Sequence, residues 1–281
     1  MIVYFNGTYG PKESVRVSPD DRGFLFGDGV YEVARTYGGK LFTLTRHLDR
    51  LRYSLDQLRI SGVDVGRLAG VCQDLIDRNK LSTGDALVYL QVTRGAAPRT
   101  HAFPNPAVAA TVYGYAAPIV PKFDPAKGIT AITVPDTRWA RCDIKSVSLL
   151  PNCLANQAAV EAGAFEAIFV RDGVAIEGSH TSFFAVIEGE VRTAPLTNYV
   201  LPSITRALVL ELCQANGIRS RETPVFLHEL PKASELFLAG TTTEALPVVQ
   251  VDGRAVGAGR PGPVALKLRE LFRSFTSRNT E

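Results

Sequence analysis

Lys145 is the residue of this chain whose setting most calls for a chemical role. It stands in "RWARCDIKSVSLLPN", Arg138 to Asn152, where Ile144, Val147, Leu149 and Leu150 read as a mostly buried strand and Pro151-Asn152 as its stop. An ammonium is costly to bury without a partner, and desolvation lowers a lysine pKa because it disfavours the charged form. The neutral amine that results can form a Schiff base with an aldehyde or ketone. A plainer account is a strand-end lysine whose head group reaches water. From this segment alone, the plainer account is favoured.

Other residues raise the same choice. Glu177, in "AIEGSHTSFFAV", ends an alternating run before Gly178, where backbone can approach a ligand closely. A carboxylate there could hold a proton on a heteroaromatic nitrogen, or be an exposed turn glutamate. Ser203 to Thr205 would form the first turn of a helix, whose free N–H groups and dipole favour a phosphate; N-capping by Ser203 explains the same letters. Gly240 with Thr241, Thr242 and Thr243 makes a turn rich in hydroxyls and backbone donors, suited to a phosphate or to a Thr-capped helix start. Arg50 lies on the flank of a leucine stripe and could meet a phosphate or water. Arg99 and His101, in "VTRGAAPRTHAFP", could bind a carboxylate through the arginine fork or belong to a flexible basic loop.

The elements that must position these groups alternate between strand and helix. Ile2–Phe5 and Val15–Val17 read as short strands, and Val30–Tyr37 and Lys40–Leu44 flank the hairpin signal Gly38-Gly39. Thr45 looks like the N-cap of a helix carrying Leu48, Leu51, Leu55 and Leu58. A helix over 65–78 and strands over 86–93 and 108–115 follow. "AAPIVPKFDP" breaks the pattern with three prolines. Beyond it come strands at 129–134 and 144–149, a helix at 152–162, a hairpin around Asp172-Gly173, a Ser203-capped helix to Asn216, a short strand at 236–239 and a last helix over 264–275. Frequent hairpins exclude an all-parallel barrel or Rossmann sheet. The expectation is an α/β protein with mixed sheets in two domains: 1–117, a linker at 118–123, and a larger 124–281 domain carrying Lys145.

The 281-residue length suits that plan. A net charge of +3 gives no argument for nucleic acid or an anionic membrane. No apolar run reaches the roughly 20 residues of a bilayer span. Cys72, Cys142, Cys153 and Cys213 have no zinc-ligand spacing, so no metal is expected. With no secretory leader, their scatter points to reduced thiols in the cytoplasm.

A Schiff-base lysine, an acid for a ring nitrogen and several phosphate cradles together describe a pyridoxal phosphate site. The stretches "DDRGFLFGDGVYEV", "QVTRGAAPRTHAFP", "RWARCDIKS", "EGS", "SITR" and "TTTE" resemble, in order and approximate spacing over nearly the whole chain, the fold-type IV pyridoxal phosphate enzymes, or class IV aminotransferases. Their D-amino-acid aminotransferase members are the strongest likeness. The resemblance implies that Lys145 carries the Schiff base and shuttles the proton at Cα. It implies that Glu177 keeps the pyridine nitrogen protonated. Arg50, the amides of Ile204 and Thr205, and Thr241 with Thr242 would hold the phosphate, and Leu201 would pack on a ring face. Tyr31, Arg99 and His101 would trap the substrate α-carboxylate, with the last two supplied by the neighbouring subunit of a homodimer. The implied reaction moves an amino group from a D-amino acid, such as D-alanine or D-glutamate, to a 2-oxo acid such as 2-oxoglutarate. The same fold hosts L-branched-chain amino-acid aminotransferases and aminodeoxychorismate lyases. The branched-chain enzymes usually differ around Tyr31 and lack the "PRTH" pattern. Where many relatives have a serine-rich stretch ending in Asn, this chain has His180, Thr181 and Ser182, which bears on substrate preference.

Overall fold

The structure, a computed structural model, describes residues 1–120 and 123–278. Its contacts divide the chain into two units. Of the expected linker, residues 121 and 122 lie outside the described residues.

The first unit is a wholly antiparallel six-stranded sheet with two long helices. Its elements are β1 (Ile2–Phe5), β2 (Thr8–Pro11), α1 (Arg22–Phe26), β3 (Gly29–Tyr37), β4 (Lys40–Phe42), α2 (Leu44–Leu58), α3 (Arg67–Arg78), β5 (Ala86–Thr93) and β6 (Thr111–Pro118). The strand order is β2-β1-β6-β5-β3-β4. The β3–β4 hairpin turns on Gly38 and Gly39, at φ +56° and +83°. A Cβ on Gly39 would collide with the Ser82 carbonyl. Leu44, Leu48, Leu51 and Leu55 of α2 pack with Leu68, Val71 and Leu75 of α3 against Val30, Ala34, Val88 and Leu90 of the sheet.

Three expectations change here. No strand forms at Val15–Val17; Asn6-Gly7, at φ 46° and 93°, folds β2 directly onto β1, a two-residue turn that Asn-Gly favours. Thr43, not Thr45, precedes α2, in a left-handed conformation and without a side-chain cap. The largest change concerns the lysine. Ile144–Ser148 groups with the first unit, not the second, and is not a regular strand. The short β4 pairs only with Arg35–Tyr37, which leaves the Gly29–Tyr31 edge of β3 needing hydrogen-bond partners. The lysine segment supplies them. The Tyr31 amide donates to the Lys145 carbonyl at 3.0 Å and the Val147 amide to the Gly29 carbonyl at 3.0 Å, around a single Val30–Ser146 bridge.

The second unit holds β7 (Ile129–Pro135), α4 (Leu150–Glu161), β8 (Glu166–Arg171), β9 (Val174–Gly178), β10 (Ser182–Ile187), β11 (Glu190–Thr193), α5 (Ile204–Ala215), β12 (Ser220–Glu222), β13 (Val225–Phe226), β14 (Glu235–Gly240), β15 (Glu244–Val251), β16 (Arg254–Ala255) and α6 (Pro263–Thr276). Its sheet is mixed and runs β12-β11-β10-β14-β15-β7-β8-β9-β13, with β16 on β15. An extra contact, Ser182 opposite Glu177, joins β9 to β10 and closes six strands into a ring. Ile168, Ala175, Phe183, Ala185, Leu236, Leu238 and Leu246 form the core against it. Helix α4 starts at Leu150, with Pro151 in its first turn. The Pro-Asn pair taken as a strand stop therefore opens a helix, a position that suits proline because its missing N–H is not needed there.

Candidate active site

In the first unit, Lys145 is partly buried and its backbone is pinned on both sides. Its amide donates to Ser54 Oγ at 3.2 Å, its carbonyl accepts from Tyr31, and neighbouring Ile144 is buried in the core. The side chain projects so that Nζ lies 4.2 Å from the centre of the Tyr31 ring. Two of the expected site residues, Lys145 and Tyr31, are thus brought together by a strand edge rather than by a shared element.

Arg50 is buried on α2 rather than solvated. Its guanidinium grips Glu32, with Nε to Oε1 at 2.7 Å and Nη2 to Oε2 at 2.9 Å. His47 Nδ1 lies 2.8 Å from the same carboxylate. Burial works to raise the Glu32 pKa, but the Arg50 charge and the bonds from His47 and Arg50 outweigh it and hold the carboxyl at about 2. Burial keeps His47 below the ordinary imidazole value. Glu32 was missed in the sequence, although a glutamate in the inward register of β3, between Val30 and Ala34, is a detectable oddity.

These shifts set an acid limit. A carboxylate with a depressed folded pKa stabilises the fold above its unfolded pKa and loses that stability as pH falls. For Glu32, from an ordinary 4.5 to about 2, this is about 3 kcal/mol. His47, neutral when buried, adds a loss that begins as pH drops through about 6.5. Urea unfolding is expected to show stability falling from about pH 6.5 to about pH 2, and Glu32→Gln is expected to flatten the part of that limb between about pH 4.5 and about pH 2.

In the second unit, Glu177 is buried at the point where β9 meets β10. Oε2 accepts from Arg138 Nη1 at 2.7 Å and Oε1 from the Leu201 amide at 3.1 Å. Burial raises its pKa above the ordinary carboxylate value; the Arg138 charge opposes this without cancelling it. Arg138 is held in turn by both oxygens of Asp136, at 2.9 Å each, and Asp136 also binds Arg171 at 3.0 Å. The row Arg171, Asp136, Arg138, Glu177 alternates in sign, so the buried charges compensate one another. A carboxylate offers about four acceptor positions, and two protein donors leave Glu177 room for another N–H.

The phosphate candidates of this unit converge on the same end of the ring. The Leu201 bond ties Glu177 to the start of α5, where Ser203 Oγ accepts from the Arg206 amide and helix geometry leaves the Ile204 and Thr205 amides without an intrahelical acceptor. Ser182, opposite Glu177, pairs on its other side with Ala239, and the hairpin tip Thr241–Thr242 follows at once. Arg269 holds that tip from below, donating to the Thr243 and Ala245 carbonyls at 3.0 Å each. Among the described residues, the buried Ser182 hydroxyl has no partner. An acid of raised pKa, two amides without an intrahelical acceptor, threonine hydroxyls and an unsatisfied hydroxyl fit a protonated heteroaromatic ring that bears a phosphate. His180 packs back onto the fold, with Nδ1 3.0 Å from the buried Glu166.

Arg99 and His101 are exposed. His101 lies beside the Phe26 ring, centroids 5.7 Å apart, and the Arg99 guanidinium is 5.2 Å from that ring. Among the described residues, no hydrogen bond or ring contact joins either of them to Tyr31 or Lys145. Sequence reasoning also missed Arg138; the signal available was its two-residue spacing from Asp136, just before the lysine stretch. Among the described residues no cluster of His, Cys, Asp or Glu could hold a metal ion, and no helix is long and apolar enough to cross a membrane.

The chain is similar over nearly its whole length to known aminotransferases. The chain is 42% identical over 279 residues to the D-alanine aminotransferase of Bacillus licheniformis, covering 98% of this chain and 96% of that one. In structure it matches the branched-chain amino acid aminotransferase of Escherichia coli with a TM-score of 0.91 at 28% identity, covering 100% and 96% of the two chains. It also matches the branched-chain aminotransferase of the archaeon Thermoproteus uzoniensis, solved with norvaline, with a TM-score of 0.88 at 25% identity, covering 98% and 94%. The family model for amino-transferase class IV spans residues 29–251, a stretch that runs from the β3 edge holding Lys145 through Glu177 and the Thr241–Thr242 turn, and the chain belongs to that family.

Proposed function

We propose that this protein is a pyridoxal phosphate-dependent transaminase that moves the amino group of a D-amino acid, of the D-alanine or D-glutamate type, to a 2-oxo acid such as 2-oxoglutarate. The observation that carries the reading is Glu177: a buried carboxyl with a raised pKa, fixed by Arg138 and Leu201, at the end of the ring where the phosphate donors gather. When bound, pyridoxal phosphate supplies an aldehyde that captures amines and a ring that draws electron density from the substrate Cα. Glu177 holds a proton at the ring nitrogen. The Ile204 and Thr205 amides, with Thr241, Thr242 and Arg50, would hold the phosphate, and Leu201 would pack against the ring. Lys145 would anchor the cofactor through its amine and would take the proton from the substrate Cα and return one.

Stereochemistry follows from orientation. The Cα–H bond that breaks would be the one that faces Lys145. Tyr31, Arg99 and His101 fix the α-carboxylate and so choose the enantiomer. The outward placement of Arg99 and His101 supports a homodimer in which each subunit lends these two residues to its partner. The free cysteines, three of them buried, fit a reducing compartment, the cytoplasm.

The same fold serves branched-chain amino acids, as the structural neighbours' names state, and a lyase reading would release pyruvate without any 2-oxo acid acceptor. The 42% identity to a D-alanine aminotransferase favours the D-specific reaction over both. The test is an absorption spectrum of the purified protein with D-alanine, L-alanine or L-leucine. D-alanine is expected to bleach the visible cofactor band. Rapid bleaching by L-leucine with none by D-alanine would overturn the reading.

A further inference from the structure

Arg22 has no part in the reaction as described, yet it is buried, with 3% of its surface exposed, under the loop that carries Arg99 and His101. Its guanidinium donates to three successive carbonyls of that loop: Nη1 to Thr100 at 2.6 Å and to Ala102 at 3.3 Å, and Nη2 to His101 at 3.4 Å. Nε is fixed by Asp28 at 2.8 Å. Asp28 in turn takes two bonds from Arg94, at 2.7 and 2.9 Å, and the Phe103 ring lies on the Arg94 guanidinium, 3.5 Å from its centre. The Arg22 guanidinium also covers Phe26, at 4.8 Å, the ring beside which Arg99 and His101 lie.

The arrangement separates backbone from side chain. Arg99 to Phe103 are all exposed, while the carbonyls of Thr100, His101 and Ala102 point inward to one buried cation. Within the loop itself, among the described residues, the Thr100 hydroxyl bond to the Ala102 carbonyl is the one that stiffens the chain at this point. A planar guanidinium can address three carbonyls and a carboxylate together; a lysine ammonium, with three donors on a flexible stem, cannot reproduce that fork.

We propose that Arg22 is a positioning residue for substrate: it sets the backbone that presents Arg99 and His101 to the α-carboxylate. The proposal rests on the carboxylate-trap reading above. Loss of the clamp loosens the trap while Lys145, Glu177 and the phosphate donors stay in place. Because the trap holds substrate before and during reaction alike, the cost falls on KM rather than kcat.

The experiment compares Arg22→Lys, Phe26→Leu and Arg99→Met with the wild-type holoenzyme. It measures KM and kcat for D-alanine and 2-oxoglutarate, the dissociation constant of propionate as a carboxylate without an amino group, the visible cofactor spectrum and the melting temperature. Arg22→Lys is expected to raise both KM values and the propionate constant roughly tenfold, with kcat within about threefold and the spectrum unchanged. Phe26→Leu, at a half-buried site that tolerates truncation, is expected to act in the same direction by roughly threefold, and it carries the test if Arg22→Lys does not fold. KM and propionate binding unchanged in these two variants, or a loss confined to kcat and melting temperature, overturns the clamp. If Arg99→Met raises KM and the other two do not, only the clamp fails. If Arg99→Met itself leaves KM unchanged, the trap reading fails and takes the clamp with it.

Discussion

Replacing Lys145 by alanine is expected to lower transamination of D-alanine by at least ~10⁴-fold. The size follows from what one amine does on this reading: it anchors the cofactor and carries the proton at Cα, and no other group of the first unit takes its place. His47, the nearest alternative base in chemical terms, is buried and committed to Glu32. The fold has little reason to change. The lysine segment is held by its backbone bonds to Tyr31, Gly29 and the Ser54 hydroxyl and by the buried Ile144 side chain, none of which needs the amine. The ring contact with Tyr31 is the part that is lost. Stopped assays of pyruvate formation from D-alanine, alongside a melting curve, check both halves. Full turnover in the alanine variant would remove the central assignment.

Glu177→Gln is the second large effect, an expected loss of about 10²–10³-fold in kcat, the range found when one preorganised electrostatic group is removed from a site. Glutamine keeps the shape and can still accept from Arg138 or the Leu201 amide through its one carbonyl oxygen. It cannot carry the negative charge that holds a proton on the ring nitrogen. Arg138 keeps both oxygens of Asp136, so the substitution does not strand a buried cation, the situation that makes broken ion pairs costly. Steady-state kinetics should therefore show the loss in kcat while the melting temperature moves little. A variant with wild-type kcat, or one whose activity loss merely tracks unfolding, would deny Glu177 its role.

The lysine and the acid stood out in the sequence for different reasons: Lys145 is a charge among the apolar Ile144 and Val147, and Glu177 is a carboxylate at the end of an alternating run, just before Gly178. Hairpins at Gly38-Gly39 and Asp172-Gly173 were equally plain, since left-handed backbone selects those residues. The partners were not legible. Arg138 meets Glu177 from 39 positions away, Glu32 meets Arg50 from 18, and Arg22 meets the Ala102 carbonyl from 80. Spacing along a chain carries no record of such meetings, because each is made by the sheet and helix packing that brings distant backbone together.

The sequence by itself determined the residue types, their order and the local turns, and through the motif order the family. Tertiary structure alone decided where Lys145 sits. Its segment looked like an interior strand of the second half, yet the short β4 leaves the Gly29–Tyr31 edge of β3 without backbone partners, and Ile144–Ser148 fills that edge. Unpaired amides and carbonyls are too costly to leave buried. That requirement, rather than any property of the lysine, sets Lys145 beside Tyr31.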